Sequence, residues 1–505
     1  PASRREPAAE GFFVEVSDLT SPAGRISRDR LHIYLQHVVL CYGKSSPVGD
    51  TGLWPDALVP LAAPFSMAGP FRRTLIRRAL WVDVYVPPET APGDYQGTIR
   101  LLRNGVVQKQ LNISLHVWDY VLPAETHMIT YMGVSGRRLA AFHNMNPDSP
   151  EARDLLTRYH AFLRENRMEP WFNERLQPKI EITGDGVRLE FDHAAYQRYL
   201  GEWKFKRAVL EAGPAPLRRM PDAPLFSELF NRRVKSYLSQ VAAYFRTHGW
   251  LDRLVFNSPI DEPNSAEDYE QTRRWAQLVH EAAPGVPFLA TEAPVPDDPS
   301  WGTLTGYVNH FAVHGNALNR LEVLEAIQRE RQKGGEVTWY ISCDQVYPQP
   351  NYFIDAPAMD PVMVPWITWR HRLDGILYWA LDYWTQTVDP WLNPVTYLSG
   401  FFCSGGGVLN GEGSLLYPGS RARRHTGQPD VDGPVPSLRF LLLREGIEDY
   451  ERLWLLKSLG AGELADRIAS DLVADVSAFS RNPEALYAAR RRIAERLEQL
   501  WKTPR

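Results

Sequence analysis

Over the first 120 positions, apolar and polar residues alternate in short runs. FFVEVSD and LHIYLQHVVL are rich in β-branched and aromatic side chains, and ALWVDVYVP alternates as a half-buried strand does. GDYQGTIRLLRNGVVQKQLNISLHVWDYVLP reads as two strands joined at RNG, a hairpin. Prolines and glycines punctuate every run. Short strands at close spacing predict an antiparallel β-sandwich over residues 1–125. The alternative is a sheet that belongs to the main domain.

After LPAETHM the period changes. SPEARDLLTRYHAFLRENRM is an amphipathic helix with Ser149 and Pro150 as start signals. PLFSELFNRRVKSYLSQVAAYFRTHGW reads as a long helix ending near Gly249. SAEDYEQTRRWAQLVHEAAPG is a third, with Ser265 as N-cap and Gly285 past its end. Between and after them stand short apolar runs: MEPWFN, RLVFNSPIDEP, VPFLATEAP, YVNHF, VTWYISCD and DGILYWALDYW. Strands alternating with helices predict a parallel α/β domain, and a length of roughly 330 residues suits a (β/α)8 TIM barrel over 126–460. Residues 461–505 read as C-terminal helices packed on that barrel. The fold class expected is therefore multidomain, β plus α/β. No GxGxxG or GxxxxGK[ST] joins a strand to a helix, so a nucleotide fold lacks its main signal.

Composition changes this picture little. The chain has 505 residues, 44% hydrophobic and 23% charged, with a net charge of −4. That charge gives no electrostatic case for nucleic acid or an anionic membrane. No apolar run approaches the ~20 residues of a membrane span. Cys41, Cys343 and Cys403 are far apart, with no CxxC. This argues against a disulfide framework or a structural zinc site and favours core or near-site places for all three. The 16 Trp and 22 Tyr are more informative, since an aromatic ring beside polar groups suits the apolar face of a sugar.

In a barrel of this kind chemistry sits where strands run into the following loops. The polar and aromatic residues there are Trp171 and Asn173, Asp261 and Glu262, Glu292, Asn309 and His310. Further along come Tyr340, Asp344 and Tyr347, then Tyr378, Trp379, Asp382, Tyr383 and Trp384. Carboxylates alternate with rings. The histidines form no HExxH, so no metal or other cofactor is expected. A lone histidine such as His310 is more often a hydrogen-bonded core residue than a ligand. Carboxylates framed by aromatics point to glycoside hydrolysis. Adjacent carboxylates, Asp261 and Glu262, rarely fit an acid plus a direct nucleophile. They suit substrate assistance, in which the sugar's 2-acetamido oxygen attacks, Glu262 protonates the leaving oxygen and Asp261 holds the acetamido N–H. Two alternatives stay open. Glu262 could be the acid/base of a glycosidase whose nucleophile is Glu292 or Asp382, or the barrel could bind carbohydrate without turnover. The bland reading of a DE pair before Pro is a loop or helix cap.

These stretches, in their order along the chain, resemble glycoside hydrolase family 123, the β-N-acetylgalactosaminidases and their uncharacterised homologues. GLWPDALVPL and LWVDVYVPPETAPGDYQGTIRL look like its N-terminal β-sandwich. IDEP looks like its catalytic motif. WYISCDQVYPQPNYFIDAP and GILYWALDYW look like its later strands, and GEGSLLYPG with SLRFLLLREGIEDYE like its closing segment. The resemblance implies a metal-free, retaining, substrate-assisted enzyme. Asp261 would orient the acetamido group and Glu262 would be general acid/base. Tyr340, Tyr378, Trp379 and Trp384 would line the sugar subsite. Asn351 and Asp355 fall in another family-like stretch or fix a turn, and Asp449 reads as structural. The pattern departs from the family at Ile260, in YVNHFAVHG and at Glu292. The partner implied is a carbohydrate, an oligosaccharide or a glycoconjugate. The chain opens PASRREPAAEG, as expected of a processed form, and enzymes of this kind are commonly exported to the periplasm or the medium.

Overall fold

The computed structural model describes residues 11–66, 78–385, 387, 389–398 and 408–502. Two antiparallel sheets form the N-terminal part. One has five strands, in which Gly93–Arg103 pairs with Phe12–Val16, with Leu19–Ser21 and with Val106–Val117. The other has three, with Leu31–Cys41 between Gly52–Pro60 and Leu80–Val84. The expected hairpin turns at Asn104 and Gly105, with φ of +50° and +80°. Two left-handed residues are what a two-residue turn needs to match the strand twist, and Asn–Gly accepts them readily. Leu19, Ile26 and Tyr95 of the first sheet meet Leu31 of the second in one buried cluster.

The rest of the chain centres on eight parallel strands: β1 (Ile129–Met132), β2 (Glu169–Pro170), β3 (Ala208–Glu211), β4 (Leu254–Asn257), β5 (Phe288–Ala290), β6 (His310–His314), β7 (Glu336–Tyr340) and β8 (Gly375–Tyr378). Their order in the sheet is β2–β1–β8–β7–β6–β5–β4–β3, every pair parallel. The sheet curls in the manner of a TIM barrel. Its two edge strands are bridged where Glu169 accepts from the N–H groups of Lys206 and Arg207, at 2.8 and 3.2 Å, and Asn173 N–H donates to Val209 O at 3.3 Å. The strands are short and buried on both faces, so β1 and β3 escape a search for alternation.

Helices cover the outside, and their caps follow the sequence. Ser149, Ser227 and Ser265 each accept a hydrogen bond from the N–H three residues on, opening Pro150–Glu165, Glu228–Thr247 and Ala266–Ala282. Phe230, Val234, Tyr237, Leu238, Val241 and Phe245 form the buried stripe of the second. Helices Gly462–Leu472 and Pro483–Trp501 lie against helix Leu438–Leu456. One expectation needs correcting: DGILYWALDYW is not all strand. It leaves the sheet after Tyr378, where Leu381 N–H bonds back to Gly133 O and its carbonyl accepts from Leu416 N–H. No helix among the described residues is long and apolar enough to cross a membrane.

Candidate active site

Strand β4 ends at Asn257, and the next five residues make a sharp turn. Ser258 Oγ accepts from Ile260 N–H at 3.1 Å, which stops the strand. Glu262 stands between Asp261 and Pro263. Proline disfavours the right-handed helical region for the residue before it. Glu262 takes φ of +45°, in the left-handed region, at a cost of about 1–3 kcal/mol for a residue with a side chain. The turn is held by one hydroxyl on the loop after β5. Thr291 Oγ1 accepts from Glu262 N–H at 2.9 Å and donates to Asp261 Oδ1 at 2.8 Å. A single side chain thus fixes the backbone of one acid and the carboxylate of its neighbour.

Both acids line a cavity of about 800 Å³ at the C-terminal ends of the strands. From the end of β7, Tyr340 donates its hydroxyl to Glu262 Oε1 at 2.5 Å. Tyr340 itself is braced edge-on by His314 at 4.9 Å, and His314 bonds Asp344 Oδ1 at 3.0 Å. Trp379, just past β8, also lines the cavity and donates its indole N–H to Glu412 Oε1 at 2.7 Å. Gly413 follows at φ +66°, and a Cβ there would come within 2.5 Å of the Trp379 ring, so this close approach requires glycine. Removing the Tyr340 hydroxyl (Tyr340→Phe) releases one oxygen of Glu262. The expected result, read from initial rates on a glycoside substrate, is a loss of roughly ten- to a hundredfold in kcat/KM, the worth of a hydrogen bond to a charged group.

The structure gathers Trp171, Asp261, Glu262, Glu292, Tyr340 and Trp379 around this one cavity, with Asp344 beside them. Other candidates lie elsewhere. His310 is at the opposite, N-terminal end of β6, wholly buried and 3.2 Å from Glu336. Asp382 is buried in an ion pair with Arg138 at 2.6 Å and also accepts from Ser135 N–H, so it faces away from the sugar space. Trp384 is core: its indole N–H goes to Leu416 O, and Phe142 packs on its ring at 5.0 Å. Asn351 fixes its loop through the carbonyls of Ser342 and Gln345. Tyr347 is exposed beneath the Arg481 guanidinium. Asn173 ties the barrel edges, and Tyr378 sits behind the wall, its hydroxyl 3.3 Å from Glu412. These seven lie away from the cavity lining. Most of them fall near a strand end in sequence, but side-chain direction there is set by turns, which periodicity does not encode.

Sequence reading misses Thr291 and Glu412. Glu412 comes from GEG, a glycine-flanked turn directly after the short strand Val408–Asn410. It is wholly buried yet lines the cavity, and burial pushes its carboxyl up to about 7. Burial, with Asp297 and Glu262 nearby, does the same to Glu292, also to about 7. A carboxyl raised on folding favours the native state while protonated. Its contribution is complete below the unfolded value near 4.5 and is lost as pH rises through about 7. Thermal melts from pH 5 to 8 should therefore show a fall in Tm that is shallower in Glu412→Gln.

Cys343 lines the same cavity and is disulfide-bonded, so the expectation from the sparse cysteine count needs correcting: sequence separation says nothing of distance in the fold. Cys41 is a buried free thiol, pushed by burial up to about 12, and Cys403 lies outside the described residues. Among the described residues no cluster of three or more His, Cys, Asp or Glu could hold a metal ion.

Residues 186–456 match the family model of the glycoside hydrolase 123 catalytic domain. A family 123 glycoside hydrolase from Clostridium perfringens, whose structure was described for glycolipid glycan hydrolysis, superposes with a TM-score of 0.68 at 15% identity. The superposition covers 98% of this chain and 90% of that one. A family 39 glycoside hydrolase from Bacteroides cellulosilyticus WH2 gives a TM-score of 0.34 at 10% identity, over 86% of this chain and 80% of that one, too slight a likeness to carry weight. No curated protein matches the chain.

Proposed function

The chain belongs to glycoside hydrolase family 123 and is a glycoside hydrolase, and from that premise we propose that it removes terminal β-linked N-acetylhexosamine, N-acetylgalactosamine favoured, by a retaining, substrate-assisted mechanism. The observation that carries this reading is the Thr291 hydroxyl, which aims two adjacent carboxylates into one cavity. Glu262 Oε1 is occupied by the Tyr340 hydroxyl, which leaves Oε2 to carry the proton. That proton passes to the glycosidic oxygen as the bond to the anomeric carbon breaks. The acetamido carbonyl oxygen forms the new bond to that carbon from the opposite face, giving an oxazolinium ion. Asp261 accepts the acetamido N–H and stabilises the positive charge. Water then attacks the anomeric carbon, gives its proton back to Glu262 and reopens the ring, with net retention.

The surroundings fit a neutral sugar. Acids of the cavity (Glu211, Asp261, Glu262, Glu292, Asp297, Asp344 and Glu412) outnumber its arginines (Arg218 and Arg320). Trp379 and Tyr340 offer ring faces. Glu292 is a poor direct nucleophile near neutral pH, because burial and neighbouring acids favour its protonated form. Asp382, held by Arg138, has no path to the anomeric carbon. The same reading includes a β-sandwich packing of the two N-terminal sheets, with domain boundaries near residues 125 and 460. It also includes export, which the Cys343 disulfide supports because disulfides persist in oxidising compartments; activity found in the cytosolic fraction of source cells would sink that part.

The test is a panel of 4-nitrophenyl β-glycosides: N-acetylgalactosaminide and N-acetylglucosaminide against galactoside and glucoside. Hydrolysis confined to the acetamido sugars is the expected result. Equal cleavage of the plain galactoside would overturn substrate assistance.

A further inference from the structure

The N-terminal ends of the barrel strands usually serve stability rather than chemistry. Here they enclose a second cavity of about 790 Å³, roofed by the segments before β1, β3, β4, β7 and β8 and walled by Tyr450, Trp454 and Lys457 from the end of helix Leu438–Leu456. Its charge is opposite to that of the catalytic mouth. Two of its cations are neutralised: Arg207 pairs with Glu336, and Arg331 with Asp374 at 2.7 Å. Four are not. Arg253 reaches only the carbonyls of Leu200 and Phe205, at 2.7 and 3.3 Å. The side-chain ammonium groups of Lys204, Lys206 and Lys457 make no hydrogen bond or ion pair among the described residues, and Lys457 lies 5.8 Å over the Trp369 ring. The acids left to face them, Glu125 and Asp252, are exposed and bonded to none of them. Lys206 is the telling member. It is half-buried, and burial lowers its ordinary value although Glu169, Glu451 and Glu125 pull the other way from a distance. A half-buried ammonium without a partner costs free energy that a bound anion would recover. Trp369, Tyr450 and Trp454 add apolar ring surface to the same wall.

We propose that this floor cavity is a second ligand site, which binds a sugar carrying a tetrahedral oxyanion ester, with Lys206, Lys204, Arg253 and Lys457 around the anion and the Trp369–Trp454 wall against the sugar ring. The site is separate from the catalytic cavity, stands independently of the proposed reaction, and takes anions that the acidic mouth repels.

Calorimetric titration of the full chain tests it, with galactose 6-sulfate and glucose 6-phosphate as probes. Unsubstituted galactose, inorganic sulfate and inorganic phosphate run beside them at ionic strength matched with sodium chloride. The expected result is saturable binding of at least one ester, weakened tenfold or more in both Lys206→Gln and Lys457→Gln, with melting temperature and hydrolytic rate kept. Sulfate but not phosphate binding, or the reverse, names the ester. Lack of saturable binding by either ester, or equal affinity in both variants, would overturn the proposal. Inorganic anions binding as tightly as the esters would overturn the role of the aromatic wall.

Discussion

Glu262→Gln should lower kcat on an N-acetylhexosaminide with a poor leaving group by about 10³-fold, within the usual range for loss of a general acid. The amide still accepts from Tyr340, so the fold of the turn and the melting temperature should hold. The size of the loss should depend on the leaving group. A 2,4-dinitrophenolate departs without a proton, so on that substrate the bond-breaking step should recover most of its rate. Asp261→Asn should behave differently. In the proposed mechanism its carboxylate charge stabilises the acetamido nitrogen, which every substrate needs whatever leaves. A loss of roughly 10²–10³-fold is expected, the same for good and poor leaving groups. Thr291 Oγ1 can still donate to the asparagine oxygen, so placement is kept and charge alone is removed. Steady-state rates of the two variants on paired glycosides give the answer. If Asp261→Asn lost nothing on an acetamido sugar, the two acids would not divide their work as the geometry suggests. Thr291→Val offers a further check, since one hydroxyl serves both acids.

The alternation of strand and helix after residue 126 was legible because buried parallel strands leave short apolar runs between capped amphipathic helices. The Ser149 and Ser265 caps fall where side-chain chemistry places them. So does the Asn104–Gly105 turn. The Asp261–Glu262 pair, which by itself reads as a loop or cap, stood out by its place after a strand-like run and its aromatic company, and both acids line the cavity. Beyond the pair, legibility failed by degree. Trp379 and Tyr340 end their strands pointing inward and line the cavity, whereas Trp384, five residues after Trp379, is core. No local pattern separates them, because the chain between them turns through Leu381 against the distant Gly133 and Leu416. Glu412 was invisible for a related reason. Its burial depends on Trp379 and Tyr378, more than 30 residues earlier, and nothing in GEG announces them.

The largest stability effect is expected at Arg439, where the N-terminal sheets meet the barrel. This side chain leaves the first turn of helix Leu438–Leu456 and is buried. Its Nε and Nη2 reach both oxygens of Asp56 at 2.8 and 2.7 Å, on strand Gly52–Pro60 of the three-stranded sheet. The remaining donors go to the carbonyls of Tyr352, Gly411 and Ser414 at 2.6–3.0 Å. Tyr417 adds its hydroxyl to Asp56 Oδ2 at 2.6 Å. One guanidinium therefore joins the sheet, the loop after β7 and the GEG loop that presents Glu412 to the cavity lined by Asp261 and Glu262. Arg439→Met would leave a buried carboxylate with the tyrosine alone and the carbonyls of Tyr352 and Ser414 without their donor, while Gly411 O keeps Ser414 N–H. Breaking a buried pair from one side costs about 3–5 kcal/mol. Asp56→Asn in the same background removes the stranded charge and should restore part of that loss, so the double variant is more stable than the sum of the singles predicts. Urea unfolding of the four proteins measures this coupling directly. Because Gly411 and Ser414 flank Glu412, Arg439→Met should also weaken substrate binding, raising KM in the fraction that stays folded. A cycle with no coupling would mean that the sheets and the barrel hold together without this pair, and that the GEG loop keeps its shape by other means.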